Sequence, residues 1–199
     1  MTTDLRALVR AGDRDAFAQL FDRYARVVYN HGFRLTADWA LADDVVSATF
    51  LEAWRLRGRI DTDGDSLRPW LLGIATNISR NLRRGDRRYR AAALACTRLD
   101  QVAPDHAGAT DSRIDDARRL AAAMAVLAAL PRADREVFTL CVWEELDYAS
   151  AAEALGIPVG TVRSRLSRAR EKIRRELPGS ARQVTGDHLT TARHAEGTR

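Results

Sequence analysis

The chain has 199 residues, 46% of them hydrophobic, and carries a formal net charge of +5. No apolar run approaches the ~18 residues that a membrane-spanning helix needs, and the first ten residues contain no signal-peptide core, so we expect a cytoplasmic protein without membrane segments. The two cysteines form no CxxC pair and the four histidines are scattered, which argues against a zinc site or a disulfide framework. We therefore assign no metal, no cofactor and no catalytic residue.

Glycine and proline are sparse, while alanine, leucine and arginine are abundant, so the composition predicts an all-α protein. The positive charge is concentrated in two segments. Residues 77–90 contain six basic residues and one acidic residue, and residues 160–176 contain seven basic residues and two acidic ones. Because the rest of the chain is net negative, two separate basic helical surfaces are predicted, each suited to phosphate groups.

Two helices are predicted in the first third of the chain. Asp13 or Asp15 can cap the first, which should end near Gly32, and Asp38 can cap the second, which should run to about Arg57. The second helix is apolar on more than one face. Either it presents a face to a partner, or its own bundle buries it on both sides. Its apolar lines are Leu41, Val45 and Ala48, and Val46, Phe50, Ala53 and Trp54.

A polar, aspartate-rich loop over residues 57–67 leads to a third helix, predicted over residues 69–84 with Ser66 as its cap. Its apolar stripe is formed by Leu71, Ile74, Ala75, Ile78 and Leu82. The opposite face carries one aromatic residue, two amides and arginines, a combination suited to single-stranded nucleic acid, although a solvated basic face explains it equally well. The polar residues of interest are Trp70, Asn77, Arg80, Asn81 and Arg84.

Helical periodicity is interrupted over residues 91–117, which we interpret as a flexible linker between two small helical domains. It resumes with Leu120, Met124, Leu127 and Leu130, and Pro131 ends that helix. Asp134 can cap the next helix, so that the C-terminal domain has four helices. Residues 178–199 have little to bury and are predicted to be a disordered tail.

Residues 148–177 predict a helix-turn-helix. A short helix ends at Gly156, which suits the left-handed position after a helix, and Pro158 prevents its simple continuation. The long second helix has an apolar stripe and an arginine-rich face, as expected of a helix that lies in the major groove of DNA. An ordinary helical hairpin with a solvated basic face is the alternative. The stripe comprises Val162, Leu166, Ala169, Ile173 and Leu177.

Three stretches together resemble the extracytoplasmic function group of bacterial RNA polymerase sigma factors, in the sigma-70 family. They are ADDVVSATFLEAWR at 42–55, RPWLLGIATNISRNLRR at 68–84 and LGIPVGTVRSRLSRAREKIRREL at 155–177. The similarity covers roughly residues 12–90 and 118–177. It implies a region 2 domain over residues 1–90, a linker over 91–117 and a region 4 domain over 118–177.

The resemblance also implies roles for individual residues. In region 2, core RNA polymerase would be bound by Asp43, Asp44, Val46, Phe50, Trp54 and Arg55. The −10 promoter element would be opened and held by Trp70, Asn77, Arg80, Asn81 and Arg84, together with the loop before them. In region 4, the −35 element would be contacted by Thr161, Arg163, Ser164, Arg165, Ser167, Arg168 and Lys172, of which Arg165 and Lys172 are better assigned to phosphates.

The implied function is promoter-specific initiation of transcription, with core RNA polymerase and promoter DNA as partners. A linker of about 25 residues spans at most ~85 Å, and two helical turns of DNA separate sites by ~70 Å. One chain therefore reaches both promoter elements only when the linker is extended. Tight packing of the two domains would be an inactive form, and we expect an anti-sigma factor or another regulator to enforce it.

Two other functions fit the sequence less well. A stand-alone helix-turn-helix regulator would leave the Asp43–Arg55 surface and the Trp70–Asn81 face unexplained. A metal-dependent nuclease could use the alternating loop aspartates Asp61, Asp63 and Asp65, but no glutamate follows at the position that a calcium loop requires.

Overall fold

The computed structural model describes residues 5–61, 66–96 and 124–176. Within these ranges every regular element is a helix and no strand is present, which confirms the all-α prediction. No helix in these ranges is long and apolar enough to cross a membrane. The expected C-terminal tail and most of the expected linker lie outside the described residues.

The N-terminal region consists of α1 (Leu5–Ala11), α2 (Arg14–Thr36), α3 (Trp39–Leu56), a 3-10 turn (Arg57–Arg59) and α4 (Arg68–Cys96). Asp13 caps α2 by accepting a hydrogen bond from the Ala16 amide at 2.7 Å, and Asp38 caps α3 through the Leu41 amide at 3.1 Å. Both predicted caps are thus confirmed. The core between α2, α3 and α4 includes Leu20, Val28, Val45, Ala53, Leu71 and Ala75.

One whole helix and the ends of two others differ from the sequence prediction. Helix α1 was not predicted, since only Val9 of its seven residues is buried and the apolar pattern is short. Helix α2 continues past Gly32 to Thr36. Gly32 lies against Val45, where an added Cβ would be 3.0 Å from Cγ1, so this glycine permits close helix packing and does not end the helix.

Helix α4 was expected to end near Arg84 but continues to Cys96, so the first six residues of the expected linker are helical. The extension is rich in alanine and contains no proline, which favours continuation of a helix. Ser66 accepts a hydrogen bond from the Arg68 amide at 3.1 Å at the start of α4, close to its predicted capping role.

The C-terminal region consists of α5 (124–129), α6 (Arg132–Phe138), a π-helical segment (Thr139–Trp143), α7 (Tyr148–Leu155) and α8 (Val159–Glu176). Pro131 occupies the N-cap of α6, so the prediction that Asp134 is the cap was wrong. A proline fits the start of a helix because the first amides there have no partner within the helix. The π-helical segment was not predicted. The core includes Leu127, Leu130, Val137, Phe138, Leu140, Ala151 and Leu166.

The predicted helix-turn-helix is present. Asp147 caps α7 by accepting a hydrogen bond from the Ser150 amide at 2.8 Å. Gly156 follows α7 in the left-handed conformation, with φ of 63°, and the Ile157 amide donates to the Ala152 carbonyl at 3.0 Å. This is the Schellman arrangement, in which a glycine closes the helix end. The predicted apolar stripe of α8 is buried from Val162 to Ile173, and Leu177 lies outside the described residues.

The two regions pack against each other along α4. Leu71 and Ile74 belong to the N-terminal core, whereas Leu72 is fully buried in the C-terminal core. An added Cβ on Gly73 would lie 2.7 Å from the carbonyl oxygen of Ala154 in α7, so a larger residue would disrupt this contact. Helix α4 is therefore buried on two sides, where the sequence predicted one apolar stripe.

Candidate nucleic-acid interface

The outward face of α8 carries four of the residues predicted to contact the −35 element. Arg163, Ser164, Ser167 and Arg168 are all exposed, on the side of the helix opposite its buried stripe. The Arg163 guanidinium lies 5.9 Å from the centre of the Tyr148 ring, a cation–π contact that orients it beside the first helix of the motif. The Ser164 hydroxyl donates to the Thr161 carbonyl at 3.1 Å. The face thus presents guanidinium and hydroxyl groups, which are side chains able to bond base edges.

Two side chains of this face are engaged inside the protein. Arg168 donates to the Asp134 carboxylate at 3.1 Å and keeps 60% of its side chain exposed. Lys172 donates to the Ala129 carbonyl at 2.6 Å. Thr161 and Arg165 are half-buried at the edge of the helix. Arg168 is thus paired with α6, while much of its side chain remains accessible.

The predicted −10 residues of α4 are divided by the packing of the two regions. Asn77, Asn81 and Arg84 are exposed. Arg80 instead forms a bidentate ion pair with Glu136 of α6, at 2.8 Å from Nε and 2.7 Å from Nη2. Hydrogen bonding to Glu136 raises the pKa of Arg80, against the opposing effect of burial. Arg80 also donates to the Asn77 side-chain oxygen at 2.8 Å.

A strongly basic cavity of about 320 Å³ lies between α4 and α6. Six arginines and one carboxylate contribute to its wall, so the concave surface has a large positive excess that suits phosphate groups. The Arg83 guanidinium spans part of this space and donates to the Leu35 carbonyl at 2.7 Å. The charged wall residues are Arg80, Arg83, Arg84, Arg88, Arg132, Arg135 and Glu136.

Trp70 lies in a second cleft, of about 710 Å³, between the start of α4 and the start of α7. The N-terminal side contributes Arg59 and Arg68, and the C-terminal side contributes the carboxylates of Asp147 and Glu153. Hydrogen bonds from the Ser150 amide lower the pKa of Asp147, so this residue is ionised near neutral pH. Acidic groups of one region therefore face the residues that the sequence assigns to the −10 element.

The predicted polymerase-binding residues of α3 divide by exposure. Asp43, Asp44 and Arg55 are exposed, and Val46 and Trp54 are half-buried. Phe50 is only 5% exposed and packs edge-on and tilted against the Phe17 and Phe21 rings of α2, with centroids 6.3 Å and 4.7 Å away. Phe50 thus lies beneath this face and supports it. Its burial agrees in part with the alternative interpretation, in which the bundle itself buries α3 on both sides.

Sequence reasoning missed three exposed apolar side chains on the same bundle. Leu51 is 73% exposed, Trp39 is 55% exposed and Phe21 is 42% exposed. Trp39 stacks on Phe33 at 3.7 Å between ring centroids. Leu51 had a usable signal, since it is a large apolar residue that belongs to neither apolar line of α3.

The described residues contain no group of three histidine, cysteine, aspartate or glutamate side chains able to hold a metal ion. Asp63 and Asp65 of the nuclease alternative lie outside the described residues, whereas Asp61 is described and exposed.

Two family models match the chain: Sigma-70 region 2 over residues 20–89, and Sigma-70, region 4 over residues 120–173. The chain is 36% identical to RNA polymerase sigma factor CarQ of Myxococcus xanthus over 168 residues, covering 84% of this chain and 92% of CarQ. It is 31% identical to ECF RNA polymerase sigma factor SigK of Mycobacterium sp. (strain KMS) over 176 residues, covering 83% of this chain and 86% of SigK. Among solved structures, CnrH in complex with the cytosolic domain of CnrY matches with a TM-score of 0.65 and 27% identity, covering 87% of this chain and 95% of CnrH.

Proposed function

The chain belongs to the extracytoplasmic function group of sigma-70 family sigma factors, and we propose which parts of its two regions bind the polymerase and each promoter element. As a sigma factor it binds core RNA polymerase and directs initiation at promoters. We propose that residues 1–90 form region 2 and residues 118–177 form region 4, with a linker over residues 91–117. The positions of the two family matches support these bounds.

We assign the reading of the −35 element to the outward face of α8. The exposure of Arg163 and Ser167, opposite a fully buried stripe, is the observation that carries this assignment. Arg163, Ser164, Ser167 and Arg168 would contact base edges, while Thr161, Arg165 and Lys172 would contact the DNA backbone.

We assign the −10 element to the polar face of α4. Exposed amides at Asn77 and Asn81 can bond the edges of unpaired bases, and Trp70 supplies an aromatic plane on which a base can stack. Arg80 and Arg84 would hold phosphates. In the described arrangement Arg80 is paired with Glu136, so this role requires that the two regions separate.

We assign core polymerase binding to the exposed side of α3. Asp43, Asp44 and Arg55 provide charged contacts around half-buried Val46 and Trp54, and Phe50 holds this surface in shape. By analogy with CnrH, which was solved in complex with the cytosolic domain of CnrY, we propose that a regulatory protein binds this chain as well. Work with RNA polymerase would place the chain in the cytoplasm, and no catalytic activity of its own is needed.

The alternative of a stand-alone helix-turn-helix regulator is not favoured. A regulator of that kind needs only the C-terminal region, yet the region 2 family model matches residues 20–89, and the surfaces of α3 and α4 described above would have no purpose in it.

The decisive experiment is transcription in vitro with purified core RNA polymerase and a library of random promoters. The chain should produce transcripts from a defined promoter class, whereas core polymerase alone should not.

Asn77→Ala should reduce permanganate reactivity of the −10 region more than it reduces binding of the closed promoter complex, because the amide contacts only unpaired bases. Asp22→Ala, on the exposed surface of α2, is the matched control. Absence of any added initiation would refute the proposed function.

A further inference from the structure

The contact between the two regions contains a carboxylate with an unusual set of partners. Glu144 follows the π-helical segment, and its side chain is only 3% exposed. Arg34 of α2 donates to one carboxylate oxygen at 2.5 Å, and Arg68 of α4 donates to the other at 2.8 Å. The ring of His31, also in α2, places Nδ1 3.8 Å from the first oxygen. These three partners all belong to the N-terminal region, although Glu144 belongs to the C-terminal region.

His31 lies beside this contact and is anchored to α4, while its Nδ1 has no hydrogen-bond partner among the described residues. Its Nε2 lies 2.9 Å from the Thr76 hydroxyl, and that hydroxyl donates to the Leu72 carbonyl at 2.7 Å. Since the hydroxyl proton is used, Nε2 carries a proton and donates to Thr76, and Nδ1 is the atom directed at Glu144. Thr76 and Leu72 lie on the stretch of α4 that the C-terminal region covers.

A second ion pair crosses the same contact with the same polarity. The Glu136 side chain is 4% exposed and accepts the bidentate hydrogen bonds of Arg80 described above. Both buried carboxylates thus come from the C-terminal region, and the arginines that reach them across the contact come from the N-terminal region; Glu136 also lies 3.7 Å from Arg132 of its own helix. A contact made of complementary charges is reversible, because each group becomes well hydrated when the regions separate, whereas a single unpartnered carboxylate inside the closed contact is strongly unfavourable.

The closed arrangement is incompatible with promoter engagement at two points. Arg80 is held against α6 by Glu136, and the two promoter elements lie ~70 Å apart, while here the two regions are in direct contact. We propose that Glu144, held by Arg34 and Arg68, is an intramolecular latch that keeps this sigma factor closed, and that release of the latch sets the fraction of the chain able to engage both promoter elements. The regulatory part of this inference rests on the proposed function.

The latch is tested with the full-length chain and the variant Glu144→Gln, which keeps the shape of the side chain and removes its charge. Its radius of gyration in small-angle X-ray scattering should exceed that of the wild type. The apparent Kd of its complex with core RNA polymerase for promoter DNA should fall about tenfold if about one wild-type molecule in ten is open, since apparent affinity scales with the competent fraction. Glu145→Gln, an exposed carboxylate one residue away, should match the wild type in both measurements.

Arg34→Gln tests the latch from the other region, at a side chain that is 29% exposed and so tolerates change better than Glu144. Arg34→Gln should also increase the radius of gyration. If Glu144→Gln loses helical circular dichroism and so does not fold, Arg34→Gln provides the test of the latch. Folded variants with wild-type dimensions and wild-type promoter affinity would overturn the latch. If the variants expand but no form of the chain supports promoter-dependent transcription, the proposed function fails and the latch stands as a structural contact.

Discussion

Cys141 shows how burial controls the chemistry of a single side chain in this protein. The thiol lies in the C-terminal core, where only 3% of the residue is exposed. Burial raises the pKa of Cys141 from 9.0 to about 11, partly offset by the nearby charge of Arg170. Because the thiolate is the reactive form, Cys141 is a structural thiol and is poorly suited to redox sensing.

We therefore expect Cys141 to react very slowly with Ellman's reagent in the folded protein. At pH 8 the raised pKa leaves roughly 100-fold less thiolate than an ordinary cysteine has, and steric exclusion slows the reaction further. The measurement uses Cys96→Ser, so that one thiol remains, and compares native protein with protein in denaturant. Equal rates in the two states would contradict the burial of this thiol.

At the scale of single elements, α8 and α4 differ in how much their surroundings matter. The α8 helix buries one stripe and exposes the opposite face, so its binding face can be read from its periodicity. In α4 every residue from Leu71 to Thr76 is buried, because the N-terminal core covers one side and the C-terminal region covers the other. The polar face of α4 that the sequence assigns to the −10 element is partly occupied in the closed arrangement, because Arg80 is paired with Glu136.

For α8 we expect Arg163→Ala to weaken binding to the preferred −35 sequence by ~1–3 kcal/mol, if the guanidinium contacts a base bidentately. Discrimination between −35 variants should fall at one or two base pairs. The measurement is a set of duplex affinities at fixed salt concentration, with the wild-type chain and with Arg175→Ala. Arg175 is an exposed arginine of the same helix that pairs with Glu171, and its loss should affect all sequences alike. Equal losses on all sequences with Arg163→Ala would place this residue on phosphate.

At the scale of the whole molecule, the closed arrangement depends on ionised carboxylates between the regions. Burial alone would raise the pKa of Glu144, but its interactions with the nearby His31, Arg34 and Arg68 together hold it below its ordinary value of 4.5. A carboxyl whose pKa is lowered by the contact stabilises that contact fully above pH 4.5. The stabilisation is lost as the pH falls through the lowered pKa.

We accordingly expect the wild-type chain to stay compact between pH 5 and 7 and to expand as the pH falls below about 4.5. The groups facing Glu144 are His31 and Arg34 from α2 and Arg68 from α4, so protonation of Glu144 removes its attraction to the two guanidinium groups. Scattering at each pH should show this step in the wild type and a smaller one in Glu144→Gln. Circular dichroism at the same pH values separates opening from unfolding. Identical profiles for the two proteins would contradict the role of Glu144.

The sequence by itself determined the features that depend on near neighbours along the chain. The caps at Asp13 and Asp38, the left-handed Gly156 and the buried stripe of α8 all follow from residues within a few turns of one another. The three quoted stretches were also sufficient to identify the family. Helix ends were less well determined, as the extension of α4 to Cys96 shows, because no breaker residue marks the end of that helix.

The tertiary structure alone decided which surfaces meet. Nothing in the local pattern of Glu144 distinguishes it from the exposed Glu145 beside it, and its partners Arg34 and Arg68 lie 110 and 76 residues away. Likewise, Leu72 is buried because α6–α8 cover it, not because it belongs to the apolar stripe of its own bundle. Periodicity reports which face of a helix is apolar, whereas the pairing of single charges between distant segments is fixed only when the chain brings them into contact.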